Sequence, residues 1–310
     1  MIPVFRSLEE ARKQQATTLA IGFFDGLHRG HREVILGDLP PDGARSVLVF
    51  TFDPHPARIL RPDRAPPLLT GLPHKTTLLN QWKVGGVLAF PFNLDRSRQE
   101  APAFLDELFT FLPSIREVRV GTRWRFGRDR TGDTALLAHA CQLRGIHCRV
   151  SPDVTAAGEA ISSSRIRQAV QSGHLAAASD WLGRPYQIFG RVIQGRKLGR
   201  SLGFPTANLR TEDECFPPLG VYAAWTLTPD GHRHPSVINL GSRPTVGDLT
   251  DVYLETHLLD GEHDLYGADL FIEPTAFLRP ISTFDGLPAL TQAIRNDAAR
   301  AQELLANPTP

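Results

Sequence analysis

Net charge, cysteine and long apolar runs are all scarce in this sequence, and each scarcity excludes a class of protein. Lys plus Arg number 34 against 33 Asp plus Glu in 310 residues, a formal net charge of +1. The broad positive field of a nucleic-acid surface is therefore missing, and local arginine clusters have to be explained by small anions. The three cysteines, Cys141, Cys148 and Cys215, are odd in number and form no Cys-x-x-Cys pair. That excludes a disulfide framework and fits reduced, packed thiols in the cytoplasm. No stretch approaches the roughly 20 apolar residues that span a bilayer, and Met1 to Glu10 carries charges too early for a signal peptide. A soluble cytoplasmic chain is expected, with no membrane partner. What the sequence does contain, 41% hydrophobic residues over a length that favours two domains, is ordinary for globular proteins.

From Thr18 to about Pro152, near-continuous apolar runs alternate with helical periodicity. Strands are predicted over Thr18–Gly22, Ser46–Phe52, Val87–Phe90, Glu117–Gly121 and His147–Ser151. Helices are predicted over Arg29–Leu36, His74–Lys83, Glu100–Phe111 and Thr134–Arg144. Such alternation implies an α/β fold with a doubly wound parallel sheet, in which ligands sit beyond the carboxyl ends of the strands.

Four stretches fall at such ends. Ile21-Gly-Phe-Phe-Asp-Gly-Leu-His-Arg-Gly-His31 passes from an apolar strand through a glycine turn into a helix. The first amides of a helix have no internal partner, and with the helix dipole they attract anions. Gly22, Phe24, Asp25, Gly26 and Gly30 shape the approach of a triphosphate, and His28 and His31, three apart, share a helical face and can donate to it. The plain alternative is a helix start with two exposed histidines. A metal site of His28, His31 and His55 lacks the cysteines and carboxylates that usually complete such a set. Thr51-Phe-Asp-Pro-His-Pro56 holds His55 on a proline-stiffened loop. Gly121-Thr-Arg-Trp-Arg-Phe-Gly-Arg-Asp-Arg-Thr-Gly-Asp133 interleaves Trp124 and Phe126 with Arg125, Arg128 and Arg130 and ends at Asp133, which suits a flat ring beside phosphates. Ile161-Ser-Ser-Ser-Arg-Ile-Arg167 opens a further helix, either as a serine N-cap or as a second anion site using Ser163, Ser164 and Arg167.

After a short helix at His174–Leu182, Gly183-Arg-Pro185 breaks the pattern and short alternating runs follow. They span Gln187–Ile193, Gly220–Leu227, Pro235–Asn239, Val252–Leu259 and Asp269–Ile272, which implies an antiparallel β-barrel. A C-terminal helix with Leu287, Leu290, Ile294, Ala298 and Leu305 on one face closes the chain. Within this half, Gly195-Arg-Lys-Leu-Gly-Arg-Ser-Leu-Gly-Phe-Pro-Thr-Ala-Asn208 reads as a flexible basic loop able to wrap phosphates, and Thr206 and Asn208 offer oxygens suited to magnesium. A glycine-rich hairpin is the alternative. Glu255 and His257 face one side of a strand, and a glutamate so placed can act as general base in phosphoryl transfer.

The order of these motifs resembles the bifunctional bacterial riboflavin kinase/FAD synthetase family. The likeness runs through Leu182-Gly-Arg-Pro-Tyr186, Gly199-Arg-Ser-Leu-Gly-Phe-Pro-Thr-Ala-Asn208, Gly220-Val-Tyr222, Asn239-Leu-Gly-Ser-Arg-Pro-Thr245, Glu255-Thr-His-Leu-Leu-Asp260, Asp264-Leu-Tyr-Gly267, Phe277-Leu-Arg279, Phe284 and Asp297. It implies a Rossmann-like FMN adenylyltransferase over residues 1–182 and a riboflavin kinase barrel over 183–310, using ATP and Mg2+ to make FMN and then FAD. By resemblance Glu255 is the kinase base, Thr206 and Asn208 hold magnesium, and Gly195, Arg200, Gly203 and Pro205 cover the nucleotide. Asn239, Thr245, Arg279 and Phe284 complete the kinase site. His28 and His31 stabilise the triphosphate in the other module, Ser163, Ser164 and Arg167 hold its outer phosphates, and His55 with Arg128 or Arg130 lies nearby.

Several positions depart from the family pattern. Arg123 stands where an acid or amide is usual and Trp124 replaces the next aromatic. Ser164 replaces threonine, Val246 an aromatic, Gly261 a phenylalanine, and Pro280-Ile281 a polar pair. Three rivals to a bifunctional enzyme follow: a kinase with a diverged adenylyltransferase, a flavin-binding paralogue without turnover, and a cytidylyltransferase. The attached kinase module argues against the last. A monomer or weak homo-oligomer acting on small molecules is expected.

Overall fold

In the structure, a computed structural model that describes residues 2–40, 42–194, 203–213, 215–244, 250–261 and 263–306, the apolar runs of the first half become one parallel sheet. Its strands are β1 (Val4–Phe5), β2 (Thr18–Ile21), β3 (Val47–Asp53), β4 (Gly86–Pro91), β5 (Glu117–Gly121) and β6 (His147–Ser151), in the order β1-β4-β3-β2-β5-β6. From β2 the chain winds outward through β3 and β4, then returns to add β5 and β6 on the other side. The reversal lies between β2 and β5, which is where a doubly wound sheet opens a crevice. All five predicted strands are present; β1, two residues long, is too short to carry a period and is held by pairing Val4 with Val87.

Both faces of the central strands β2, β3 and β4 are covered, which is why they read as near-continuous apolar runs, whereas the edge strand β6 leaves His147 and Val150 exposed. Leu19 and Ile21 pack with Phe50, Leu88 and the residues Phe104, Leu105 and Leu108 of helix α6 (Ala101–Phe111). Ala20 faces the other way, onto Val34 and Ile35 of α2 (Arg29–Ile35) and Leu78 and Leu79 of α4 (Leu72–Gln81). The remaining helices of this region are α1 (Leu8–Ala11), α3 (Pro56–Leu60), α5 (Leu94–Ser97) and α7 (Thr134–Gln142). A two-strand ribbon, β7 (Thr155–Ala156) with β8 (Glu159–Ala160), leads into α8 (Ser163–Gln171) and α9 (Leu175–Leu182).

The chain separates into two compact units, Met1–Leu68 with Leu72–Arg165, and Leu69–Gly71 with Ile166–Pro310. The changeover falls inside α8, whereas the pattern break at Gly183 is the left-handed C-cap of α9, with φ 72° and its amide bonded to Ser179 O. In the second unit β9 (Ile188–Ile193), β10 (Ala207–Arg210), β11 (Gly220–Leu227), β12 (Arg233–Pro244), β13 (Thr250–Leu258) and β14 (Asp269–Arg279) close an antiparallel barrel, ordered β10-β13-β12-β11-β14-β9. β10 corrects the reading of a flexible loop through Asn208. Ala-Asn-Leu-Arg has little strand character of its own, and pairing on both edges, to β9 and β13, imposes it.

The barrel interior carries a hydroxyl network. Thr226 Oγ1 lies 2.9 Å from both Ser236 Oγ and Thr256 Oγ1, and Ser236 Oγ donates to Ala224 O. The C-terminal helix α10 (Leu287–Ala306) lays Ala301 and Leu305 on Ala223, Trp225, Val237 and Ala276. Of the expected stripe, Leu305 is buried, Leu290, Ile294 and Ala298 are half-buried and Leu287 is exposed; Asp297 and Ala301 join the buried line, with Arg279 Nη2 2.8 Å from Asp297 Oδ2.

Candidate active sites

The crevice of the sheet is filled by a rigid turn. Phe24, Gly26 and Leu27 have φ of 54°, 82° and 43°, and Phe24, Asp25, Leu27 and His28 are all buried. A left-handed Phe and Leu are costly unless their surroundings hold them, and here the apolar rings are locked into the α2–α4 side of the core. Gly22 serves this packing, since a Cβ there would lie 2.8 Å from the Phe24 ring.

His28 is the N-cap of α2, which begins at Arg29 as predicted. Its Nδ1 accepts from the His31 amide at 3.3 Å, so one amide expected to face phosphate is already used. With Nδ1 accepting, the neutral ring carries its proton on Nε2 and presents a donor there. The His31 ring stacks on it at 3.5 Å, and Phe24 meets His31 edge-on at 5.3 Å. Gly30 makes room for this stack, because a Cβ would sit 3.1 Å from His28 Cε1. Ser163 Oγ donates to Asp25 O at 2.9 Å, which brings the start of α8 against the turn, while Ser162 Oγ caps Arg165 N at 3.4 Å. Ser164 follows in the same helical turn. Two helix N-termini therefore converge on residues 24–31, and their dipoles add at one place.

His55 joins this assembly from β3. Its Nδ1 accepts from Ala57 N at 2.9 Å as the cap of α3, and its ring lies 4.0 Å from Phe23. Sequence reasoning missed the residue beneath them. Lys75 of α4 is buried, and its Nζ donates to Phe23 O at 2.7 Å, reaches Thr51 Oγ1 at 3.4 Å and lies 4.1 Å from the Phe23 ring centre. Burial pulls its pKa down to about 8, against the opposing pull of Asp25 and Asp53. Only its place as a charge inside an otherwise apolar helical stripe could have flagged it.

The arginine-rich stretch after β5 is more committed than its composition implies. Phe126 is buried against Phe104, and Trp124 stacks on it at 4.3 Å. Asp133 caps α7 through Ala135 N and Leu136 N and is held below the usual carboxylate range, chiefly by the Leu136 amide, with Arg125 at 3.0 Å adding to it. Arg128 pairs with Glu100 at 2.8 Å, and Arg130 sits exposed in a left-handed turn. Arg123, the departure from the family pattern, pairs with Asp153 at 3.3 Å.

In the barrel, side chains come together through register. Asn208 of β10 pairs with Glu255 of β13, which pairs with Asn239 of β12. Directly paired residues of an antiparallel sheet share a face, so these three form a polar row, with His257 two residues along on the same side and Thr206 immediately before β10. His257 Nδ1 lies 2.8 Å from Pro205 O and its ring meets Phe204 at 5.6 Å, fixing the strand entry. Asn239 Nδ2 bonds Tyr253 OH at 3.4 Å, and its buried Oδ1 has no protein partner. On the Thr256 and Leu258 side of β13, opposite the row, a cavity of about 560 Å³ is lined by residues including Thr206, Ala207, Asp264 and Tyr266. Gly203, at φ 82°, is described, whereas Gly195, Arg200, Thr245 and Val246 lie outside the described residues. Arg279 is bound to Asp297 and stands 5.2 Å from the Phe284 ring.

Arg167 falls in this second unit, where its carbonyl accepts from Cys215 Sγ at 3.8 Å. Sequence reading also passed over Asp213. This buried carboxylate accepts from Gly71 N at 2.6 Å and Phe189 N at 2.8 Å. Nearby Arg184 has its pKa lowered to about 10 by burial, partly offset by Asp213. Among the described residues no helix is long and apolar enough to cross a membrane.

Two family models match the chain, FAD synthetase over residues 10–165 and riboflavin kinase over residues 182–305. The bifunctional riboflavin kinase/FMN adenylyltransferase of Escherichia coli K12 is 36% identical over 293 residues, 94% of this chain and 93% of that protein. The protein of the same name from Pseudomonas fluorescens is 34% identical, with 97% of each chain covered. A crystal structure titled as a macrolide-efflux protein from Streptococcus pneumoniae aligns with a TM-score of 0.78 over 99% of this chain and all of that one, at 23% identity. That last likeness concerns the fold alone.

Proposed function

The chain belongs to the bifunctional riboflavin kinase/FMN adenylyltransferase family, and we propose that its two reactions divide between the strained turn of the sheet and the polar row of the barrel. The enzyme phosphorylates riboflavin to FMN and adenylylates FMN to FAD, with ATP as co-substrate in both steps. We assign adenylyl transfer to residues 1–182 and phosphoryl transfer to 183–310.

The observation that carries the first assignment is the convergence of α2 and α8 on residues 24–31. Charge develops on the α-phosphate during in-line displacement, and donors fixed in advance stabilise it most. The Nε2 donor of His28, steadied by the His31 stack, is placed to serve there. Ser163 and Ser164 open α8 toward the outer phosphates, with Arg167 further along the helix. Lys75 acts beneath them as a positioning residue, holding Phe23 O and hence the turn. In the barrel, Glu255 takes the proton of the ribityl 5′-hydroxyl as it attacks the γ-phosphorus, the ordinary task of a carboxylate base. Mg2+ fits the oxygen donor set of Thr206 and Asn208, with Asn208 on the Glu255 face and the unpartnered Asn239 Oδ1 in the same row. When bound, it would neutralise phosphate charge.

A kinase with a diverged adenylyltransferase is the reading that Arg123 suggests, but pairing with Asp153 neutralises that cation locally. The deciding experiment separates products after the protein is incubated with ATP, magnesium and either riboflavin or FMN. FAD is expected from both substrates; FMN accumulating without FAD would reject the first assignment. A cytoplasmic location and a monomeric or weakly associating state go with this reading.

A further inference from the structure

We propose that His234, Asp260 and His263 form a binding site for a zinc-class divalent cation, separate from the magnesium row. His234 lies on β12, and the other two follow β13 in its connection to β14. The three potential ligand atoms all lie within 4.8 Å of one another. His234 Nδ1 is 2.7 Å from Asp260 Oδ2, and His263 Nε2 is 3.2 Å from Asp260 Oδ1. Bonds of about 2.0 Å to a tetrahedral zinc put neighbouring ligands about 3.3 Å apart, and each imidazole nitrogen already lies within about 0.6 Å of that spacing from one oxygen of the carboxylate. Two imidazoles and a carboxylate favour zinc, cobalt or nickel over magnesium, which prefers oxygen alone.

The supporting contacts match what a metal-ligating histidine needs. His234 Nε2 lies 3.2 Å from Thr228 Oγ1, which in turn donates to Asp230 Oδ1 at 2.5 Å. That chain engages the outer ring nitrogen and leaves Nδ1 for the ion, the arrangement that orients a ligand imidazole. The His234 and His263 rings meet edge to face at 4.5 Å, so both are already turned toward one point. Three protein ligands leave the fourth tetrahedral place to water. Gly261, at φ 134° with open space around it, lets the connection fold back so that His263 reaches Asp260. His263 also lines the cavity beside Thr206. A bound ion would therefore clamp the connection that carries Asp264 and Tyr266 to the start of β12.

The test is calorimetric titration of the chelator-treated, full-length protein with zinc chloride, without nucleotide. One equivalent is expected to bind, with affinity reduced by about tenfold or more in Asp260→Asn and in His263→Ala, unchanged in His139→Ala, and unaffected by millimolar magnesium. Zinc should raise the melting temperature of the wild type and of His139→Ala but not of the other two variants, whose metal-free melting temperatures report their folding. Absence of zinc binding, or binding equally tight in Asp260→Asn and His263→Ala, would overturn the proposal and leave the three residues as a hydrogen-bonded surface network.

Discussion

The two candidate regions are built by opposite means. In the sheet, the candidate side chains follow a turn whose backbone is held in left-handed conformations by buried apolar neighbours. In the barrel, Asn208, Glu255 and Asn239 stand in ordinary extended strands and meet because three strands share one register. A strained turn depends on the core beneath it, so distant core changes should reach the chemistry. A register row depends on strand pairing, which tolerates substitution of its outward side chains.

The largest effects should come from breaking each region at its chemical group. Glu255→Ala should lower FMN formation by about 10²- to 10⁴-fold while FAD formation from supplied FMN continues. His28→Ala should do the reverse, by about 10²- to 10³-fold. Loss of both activities in a well-folded Glu255→Ala protein, read by product chromatography, would show that the sites are not separate.

Next come two buried charges, Lys75 in the first unit and Asp213 in the second. Asp213→Ala removes the acceptor of two buried amides and the partner of Arg184, and should cost about 3 kcal/mol or more in denaturant unfolding. Lys75 has the opposite character, because folding disfavours its charged form. Its native pKa of about 8 against an ordinary 10.5 means that the unfolded chain binds more protons between those values. Relative to Lys75→Met, wild-type stability should be flat below pH 8 and rise from pH 8 to 10.5, by on the order of 3 kcal/mol in all. A flat difference across that window would place Lys75 in water. The smallest effect is expected at Arg123. Its partner is exposed, so Arg123→Asn should change stability by about 0–1 kcal/mol and leave FAD synthesis intact, and a collapse of FAD synthesis would give Arg123 a direct role.

Much of this was legible in the chain because it rests on local pattern. The central parallel strands are apolar in both phases, and the His-x-Gly-His stretch follows β2 directly. The misreadings share a cause. The His31 amide, expected to face phosphate, is taken by the His28 ring instead, a local hydrogen bond that spacing does not reveal. Ala207–Arg210 became a strand because two neighbours pair with it. Lys75 looks like any polar helix residue until Phe23, Thr51, Asp25 and Asp53 close around it from other elements. Gly22 and Gly30 were read as openings for a ligand, whereas each accommodates a neighbouring ring.

By itself, then, the sequence determined the two-part architecture, the family and the residue types available for phosphate chemistry, because periodicity and motif order are properties of the chain read in one dimension. Only the tertiary structure decided that Lys75 and Asp213 are buried charges with fixed partners, and that His234 meets Asp260 and His263. Those outcomes depend on packing and strand register between residues far apart in the chain, where burial sets the cost of a charge and register sets which side chains share a face.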